Sequence, residues 1–255
     1  MSALVAAVRL LTVLPMGKRQ LHERDMARSP ALFPLVGIAI GGASAVTYWL
    51  VGLGLPQLVA AASAIAVGVA LTGALHLDGL ADTADGLFGG KTPEKRLAIM
   101  KDPRNGAYGM VAIGIALMLK LALVGSFGSN GVGWQYVLAA PVAGRFAVVF
   151  VMKVFPYVRE NGVGTPFVKG SWLVVVIAAV LACSCVLIAA GVWALLAVAA
   201  ALVCGLGVGR FAAAHLGGGV TGDVYGAVIE VSEIAALFGF IIIVEAGVTM
   251  GPIWE

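Results

Sequence analysis

The chain has 255 residues, 61% of them apolar and only 11% charged, with a formal net charge of +3. A soluble domain carries about 25% charged residues, so this composition cannot cover a water-exposed globule. A mean hydropathy of +1.03 makes the bilayer the solvent to reason in, and the mild net charge gives no reason to expect a nucleic-acid partner.

Taken from the N-terminus, residues 3–14 are apolar but shorter than the roughly 20 residues that a spanning helix needs. Leu14-Pro15 breaks this run, so a short interfacial or re-entrant helix is expected, and no cleaved signal peptide. Seven segments then reach spanning length, at about 31–52, 57–75, 108–127, 134–152, 172–190, 192–214 and 234–252. The 35 glycines are scattered through these runs, where small residues let helices approach closely in lipid. Cys183, Cys185 and Cys204 lie in apolar runs without CxxC spacing and read as small apolar fillers. No linker divides the chain. The expected fold is an all-α, polytopic membrane helix bundle of about seven spans plus the short N-terminal helix, one domain over residues 1–255.

The connections alternate in charge. Residues 53–56, 128–133 and the turn near Gly191 carry no Lys or Arg. The others hold Lys18, Arg19, Arg24 and Arg28, then Lys91, Lys95, Arg96, Lys101 and Arg104, then Lys153, Arg159 and Lys169, which is 12 of the 16 basic residues. The positive-inside rule predicts a cytoplasmic N-terminus and an outside C-terminus. The fourth connection on the same side, residues 215–233, departs from the pattern: it has no Lys or Arg but carries Asp223, Glu230 and Glu233.

Two acidic clusters therefore fall on one side. Residues 76–86 read H-L-D-G-L-A-D-T-A-D-G, with Asp78, Asp82 and Asp85 spaced to share one helix face. Like charges so placed repel, which is costly at a membrane boundary unless a cation collects them. Residues 221–233 repeat the stagger with Asp223 and Glu230, Glu233 lying somewhat off that face, and lead into the predicted seventh span. Carboxylate oxygens suit a hard cation, and magnesium bridging to a phosphate is the usual arrangement. The bland reading is a pair of solvated helix ends. Two clusters with one stagger on one side argue against it.

Between the clusters, Thr92-Pro93 opens a short helix and Pro103 closes it. Lys95, Arg96, Lys101 and Arg104 serve topology, or one or two of them clamp phosphates, Arg104 being the first choice for bidentate contact. Arg145 lies deep in a span and is expected to face an anionic ligand or a carboxylate inside the bundle. Arg210 is placed to snorkel, and Lys120 and Glu245 read as a structural pair, or as snorkelling side chains, near the outer ends of the third and seventh spans. His76 is a candidate for a supporting role or for a general base.

With these motifs in view, L-H-L-D-G-L-A-D-T-A-D-G (75–86), R-L-A-I-M-K-D-P-R-N-G-A-Y-G (96–109), A-L-F-P-L-V-G (31–37) and T-G-D-V-Y-G-A (221–227) resemble the cobalamin synthase family over about residues 9–240. These are membrane-bound adenosylcobinamide-GDP ribazoletransferases of bacteria and archaea. The resemblance implies that a ribose hydroxyl of α-ribazole, or of its 5′-phosphate, attacks the cobinamide-side phosphorus of adenosylcobinamide-GDP and expels GMP. It also implies a magnesium cofactor and a membrane-bound enzyme, a homo-oligomer being possible; the charge threading puts the active site on the cytoplasmic face of a bacterial inner membrane. On this reading Asp78, Asp82, Asp85, Asp223 and Glu230 hold magnesium, and Asp82 or Asp85 takes the nucleophile's proton. Arg104 and Arg145 clamp phosphate.

A CDP-alcohol phosphotransferase is the nearest alternative, but Asp82 stands where that family's Asp-Gly-x-x-Ala-Arg opening has Arg, and CMP rather than GMP release would mark it. A cation transporter would place its carboxylates near the midplane, often in repeated halves. Substrate-independent magnesium uptake would mark that one.

Overall fold

A computed structural model describes residues 2–17, 20–128, 133–158 and 164–247. Eleven α-helices follow in chain order among them: α1 Ser2–Leu11, α2 Glu23–Arg28, α3 Phe33–Gly52, α4 Gln57–Thr72, α5 Leu75–Gly89, α6 Pro93–Ile99, α7 Ala107–Ser126, α8 Trp134–Val154, α9 Trp172–Ala190, α10 Leu195–His215 and α11 Gly222–Glu245. Six helical stretches are long and apolar enough to cross a membrane, and α4 with α5 makes a seventh if that bent pair is one span. The sole pairing of extended backbone among the described residues is a bridge between Tyr157 and Val220. The protein is a polytopic helix bundle. Lys18, Arg19, Arg159 and the C-terminal end of the chain lie outside the described residues.

The bundle is built around α8. A helix that is apolar on every side is a core helix, and α8 is buried on nearly its whole surface, from Gln135 to Met152. It packs on α3, α9, α10 and α11. The α3 contact is backbone to backbone, because Gly37 and Gly41 sit one turn apart on its facing side. A Cβ on Gly37 would lie 2.9 Å from the Pro141 carbonyl oxygen and from Val142 Cα. This is the small-residue packing that lipid permits. By contrast α7 turns most of its surface outward, with Met110, Val111, Ile115 and Met118 exposed, as a lipid-facing helix should.

Two departures from the expected spans position the site. The second span ends at Thr72, where Gly73 and Ala74 take left-handed backbone (φ 59° and 58°), and α5 leaves at 85° to α4. Two successive left-handed residues break the hydrogen-bond ladder and turn the chain. The first acidic cluster thus rides on a separate helix that packs on α7 and α11.

The second departure is a correction. The seventh span, expected over 234–252, is α11 and starts at Gly222, capped by Thr221 Oγ1, which accepts from Val224 N. Asp223, Glu230 and Glu233 are not in a loop. They lie within the helix, and the connection before it shrinks to residues 216–221. A hydropathy window passes over Glu230 and Glu233 because it counts them as charged and unpaired. In the fold both are neutralised by cations from other helices.

α1 is the short N-terminal helix that was expected, but it is docked on the bundle through buried Ala6, Ala7 and Leu11 and touches α2 and α3.

Candidate active site

The helices α5 and α11 touch through glycines. A Cβ on Gly79 would meet the Asp223 carbonyl oxygen at 2.7 Å and Gly226 Cα at 3.1 Å, and one on Gly226 would meet the His76 carbonyl oxygen at 3.0 Å. No larger residue fits at either position without parting the helices. Their neighbours Asp78 and Asp223 are thereby brought onto one cavity of about 470 Å³, which Tyr157, Tyr225, His76 and apolar residues of α1, α3 and α8 also line. That volume lies within the usual range for a small-molecule site. Asp78 is exposed and Asp223 half-buried, with Thr221 Oγ1 donating to Asp223 Oδ2 at 3.3 Å.

Sequence spacing put Asp78, Asp82 and Asp85 on one helix face. The fold gives them different surroundings. Asp85 is buried and accepts two backbone hydrogen bonds, from Gly106 N to Oδ2 at 2.7 Å and from Gly109 N to Oδ1 at 2.9 Å. These amides are among the orphan donors at the start of α7, so Asp85 caps that helix from a distance and meets its positive dipole end. Asp82 is half-buried, one turn beyond Asp78, and is outside the cavity lining. No group of three or more His, Cys, Asp or Glu side chains that could hold a metal ion forms among the described residues.

Glu230 faces inward, where a buried ionic network crosses the bundle. Lys120 Nζ of α7 donates to Glu230 Oε2 at 2.7 Å and to Glu233 Oε2 at 2.6 Å. Arg145 of α8 donates through Nη1 to Glu233 Oε1, and its Nη2 meets His76 Nδ1 of α5 at 3.2 Å. Two cations face two carboxylates, and the network closes on a neutral imidazole, whose Nδ1 then accepts from the guanidinium. Nε2 of His76 is left buried with no partner among the described residues. A small cavity of about 70 Å³ adjoins these groups, and His76 lines both it and the larger one.

Lys120 therefore pairs with Glu230 and Glu233 and not with Glu245, which is a correction to the expected pair. Arg145 does face a carboxylate, as its depth suggested. Glu233, the centre of the network, carried no role in the sequence reading. The available signal was that α7 and α8 each carry one cation well inside an apolar run, so two anions at similar depth were needed elsewhere.

The basic stretch is distributed rather than convergent. Arg96 Nε donates to the Gly90 carbonyl and Nη1 to the His215 carbonyl, both at 3.0 Å, tying α6 to the end of α10. Arg104 is 87% exposed and holds Asp102 in a two-pronged contact, Nε to Oδ1 at 2.9 Å and Nη2 to Oδ2 at 2.7 Å. This contact pulls the Asp102 carboxyl down to about 2. Lys101 is exposed. None of the three lines the cavity.

Comparison with known proteins matches residues 3–241 to the model of the cobalamin-5-phosphate synthase family. The chain is 39% identical to the adenosylcobinamide-GDP ribazoletransferase of Deinococcus radiodurans over 236 residues, covering 92% of this chain and 84% of that one. It is 37% identical to the Roseiflexus enzyme of the same name, over 91% and 86% of the two chains. The enzyme so named from Prosthecochloris aestuarii is 38% identical over 91% and 94%. No solved structure matches the chain.

Proposed function

This chain belongs to the cobalamin-5-phosphate synthase family, and on that premise we infer that it is an adenosylcobinamide-GDP ribazoletransferase. The observation that supports the reading in this chain is the cavity where Asp78 and Asp223, 145 positions apart in sequence, meet beside an apolar and aromatic wall. A nucleoside acceptor and a charged diphosphate need such a two-sided site.

In the proposed reaction the acceptor is α-ribazole or its 5′-phosphate. Its ribose oxygen forms a new P–O bond to the cobinamide-side phosphorus, the bond between that phosphorus and the bridging oxygen breaks, and GMP leaves carrying the bridging oxygen. The products are adenosylcobalamin, or its phosphate, and GMP. Asp85 has both carboxylate oxygens engaged by backbone amides, so of the two carboxylates expected as base we assign the proton-accepting role to Asp82, which stands outside the cavity lining and would take the proton through one intervening water. Arg145 is committed to Glu233 and His76, and so it shapes the site from behind; Arg104 is likewise committed to Asp102, and it, Lys101 and Arg96 stand outside the cavity lining, so no basic side chain is assigned to phosphate contact.

We propose magnesium as the cofactor. Carboxylate oxygens are the hard donors it prefers, and one or two protein carboxylates suffice where substrate phosphate and water complete its shell, so Asp78 and Asp223 fit and would hold it. Bound there, it would neutralise charge on the departing phosphate. Glu230 is paired with Lys120 and, with Asp85, is left out of the proposed ligand set. The charge pattern of the connections supports a cytoplasmic N-terminus and a cytoplasmic site in a bacterial inner membrane.

The test is GMP release by the membrane-embedded protein from adenosylcobinamide-GDP and α-ribazole, with magnesium or with EDTA. Release is expected only with the metal, and Asp78→Asn or Asp223→Asn should lower kcat about 100-fold or more with an unchanged unfolding midpoint. Undiminished release in EDTA would exclude the metal. No release with magnesium would exclude the reaction.

A further inference from the structure

The helix that carries Asp78 is loosely tied to the core of the bundle. α5 leaves α4 at 85°, packs on α6, α7 and α11, and makes no broad contact with the core helix α8. Its contact with α11 runs through Gly79 and Gly226, and glycines bring helices close without a side chain to fix their rotation. Side chains must therefore set the direction of Asp78, and two of them act at separate points. Asp85 is held by the amides of Gly106 and Gly109 at the start of α7. Nine residues earlier, about 14 Å along the helix axis, His76 is held by Arg145 of α8.

Arg145 is 1% exposed and is fixed from α11 as well. α8 and α11 touch at Gly144, where a Cβ would lie 2.9 Å from Glu233 Cγ and 3.0 Å from the Ile229 carbonyl oxygen. Next to that contact Arg145 Nη1 donates to Glu233. A guanidinium is a planar fork with donors in fixed directions, so one prong seats on α11 and the other, Nη2, on His76 Nδ1 at 3.2 Å. Because a guanidinium only donates, Nδ1 uses its lone pair in this bond. The ring proton then sits on Nε2, which is buried with no partner among the described residues. The imidazole has no lone pair left for a substrate.

We propose that Arg145 and His76 are positioning residues: the guanidinium fork holds α5 and α11 in one mutual rotation, and so sets Asp78, two residues beyond His76, toward Asp223. This rests on the ribazoletransferase reading above, and it takes His76 out of the role of base. With the fork broken, α5 keeps its anchor at Asp85 and turns about it, so the end that carries Asp78 moves most.

The test uses a pair of isosteres. Asn and Leu have the same branched shape, and Asn can place its carbonyl oxygen where histidine has Nδ1. In the membrane-embedded protein His76→Leu should lower kcat for GMP release about 10- to 100-fold, the range typical of partners that orient a metal's ligands. His76→Asn should recover most of that loss. Arg145→Lys keeps a counter-charge for Glu233 but has no fork, and should lose as much as His76→Leu. The two combined should lose no more than either alone, because one bond is broken twice. A packing role alone would give equal rates for Leu and Asn and additive losses in the double variant, and either result would overturn the positioning role. A second readout needs neither metal nor substrate. Nitroxides are placed on Leu75→Cys in α5 and Ile242→Cys in α11, both exposed positions, in a background lacking Cys183, Cys185 and Cys204. Their separation should shift or broaden in His76→Leu and in Arg145→Lys, and return to that of the wild type in His76→Asn. An unmoved separation in the first two would overturn the fork. Absence of GMP from the wild type would instead overturn the transferase reading, and the nitroxide separation would still decide whether the fork holds α5.

Discussion

At the scale of single residues, the same type of side chain serves opposite ends according to what surrounds it. Asp85 and Asp78 lie on one face of α5, yet one caps α7 and the other opens onto the cavity. Asp85→Asn keeps one acceptor of the two, so it should destabilise the protein by about 1–2 kcal/mol and lower activity only through folding. The measurement is a thermal midpoint in detergent beside kcat. A large loss of kcat at an unshifted midpoint would return Asp85 to the reaction. The ionic network makes a stronger demand. Glu233→Gln leaves Arg145 buried without its counter-charge, for which about 3–5 kcal/mol is expected. Losing Lys120 and Glu230 together, as Met and Gln, should cost less than losing Lys120 alone. Additive losses would show that the pair does not interact.

The exposed pair Asp102–Arg104 gives a pH prediction of definite sign. Its carboxyl is depressed from 3.8 to about 2, so the contact is in full force above the ordinary carboxylate range and weakens as pH falls toward 2. Amide exchange in residues 102–106 should therefore be indifferent to this group between pH 5 and 9. A change in protection there within that window would contradict the assignment.

At the scale of elements, the decisive features are a break and a close approach. Ala74 is the one described non-glycine residue with positive φ, a conformation costing a side chain about 1–2 kcal/mol. Ala74→Gly relieves that strain but frees the unfolded chain, so the net expectation is a stability unchanged or raised by up to about 1 kcal/mol, read as a midpoint that is level or higher. A clear loss would mean that the methyl group packs more than the turn strains. Gly226→Ala has the opposite character. Its new methyl group would press on the His76 carbonyl and Gly79 Cα, overpacking by about 1–3 kcal/mol, and it would part the two helices that carry Asp78 and Asp223. Activity should fall further than stability alone explains. Equal activity per folded molecule would show that the spacing of the two helices is not critical.

At the scale of the molecule, contacts tie connections that are distant in sequence: Lys169 pairs with Glu23, Arg96 donates to the His215 carbonyl, and Tyr157 bridges to Val220. Cysteine placed at Lys91 or at Gly54, in a background lacking Cys183, Cys185 and Cys204, should react with an impermeant maleimide from opposite sides of sealed vesicles. Labelling of both from the same side would refute the threading. The network lies deeper. Glu233 is 11 residues into α11, about 16 Å along the helix axis at 1.5 Å per residue. That depth explains why its charges must cancel among themselves.

Composition and run length sufficed for the membrane, the all-helical class and nearly every span, because a bilayer forces each crossing to be a helix whose apolar length matches its thickness. The motif residues likewise pointed to the family before any fold was in view. Three things were decided by the tertiary structure alone. Where α11 starts depended on Lys120 and Arg145, cations on other helices that make Glu230 and Glu233 tolerable in the bundle. Which aspartate faces the cavity depended on where α7 begins, because Asp85 is taken by amides that no periodicity on α5 reveals. The aromatic wall joins Tyr157 to Tyr225 across 68 positions. A one-dimensional pattern registers which face a residue occupies, whereas the partner on that face comes from another segment, and the partner fixes the role.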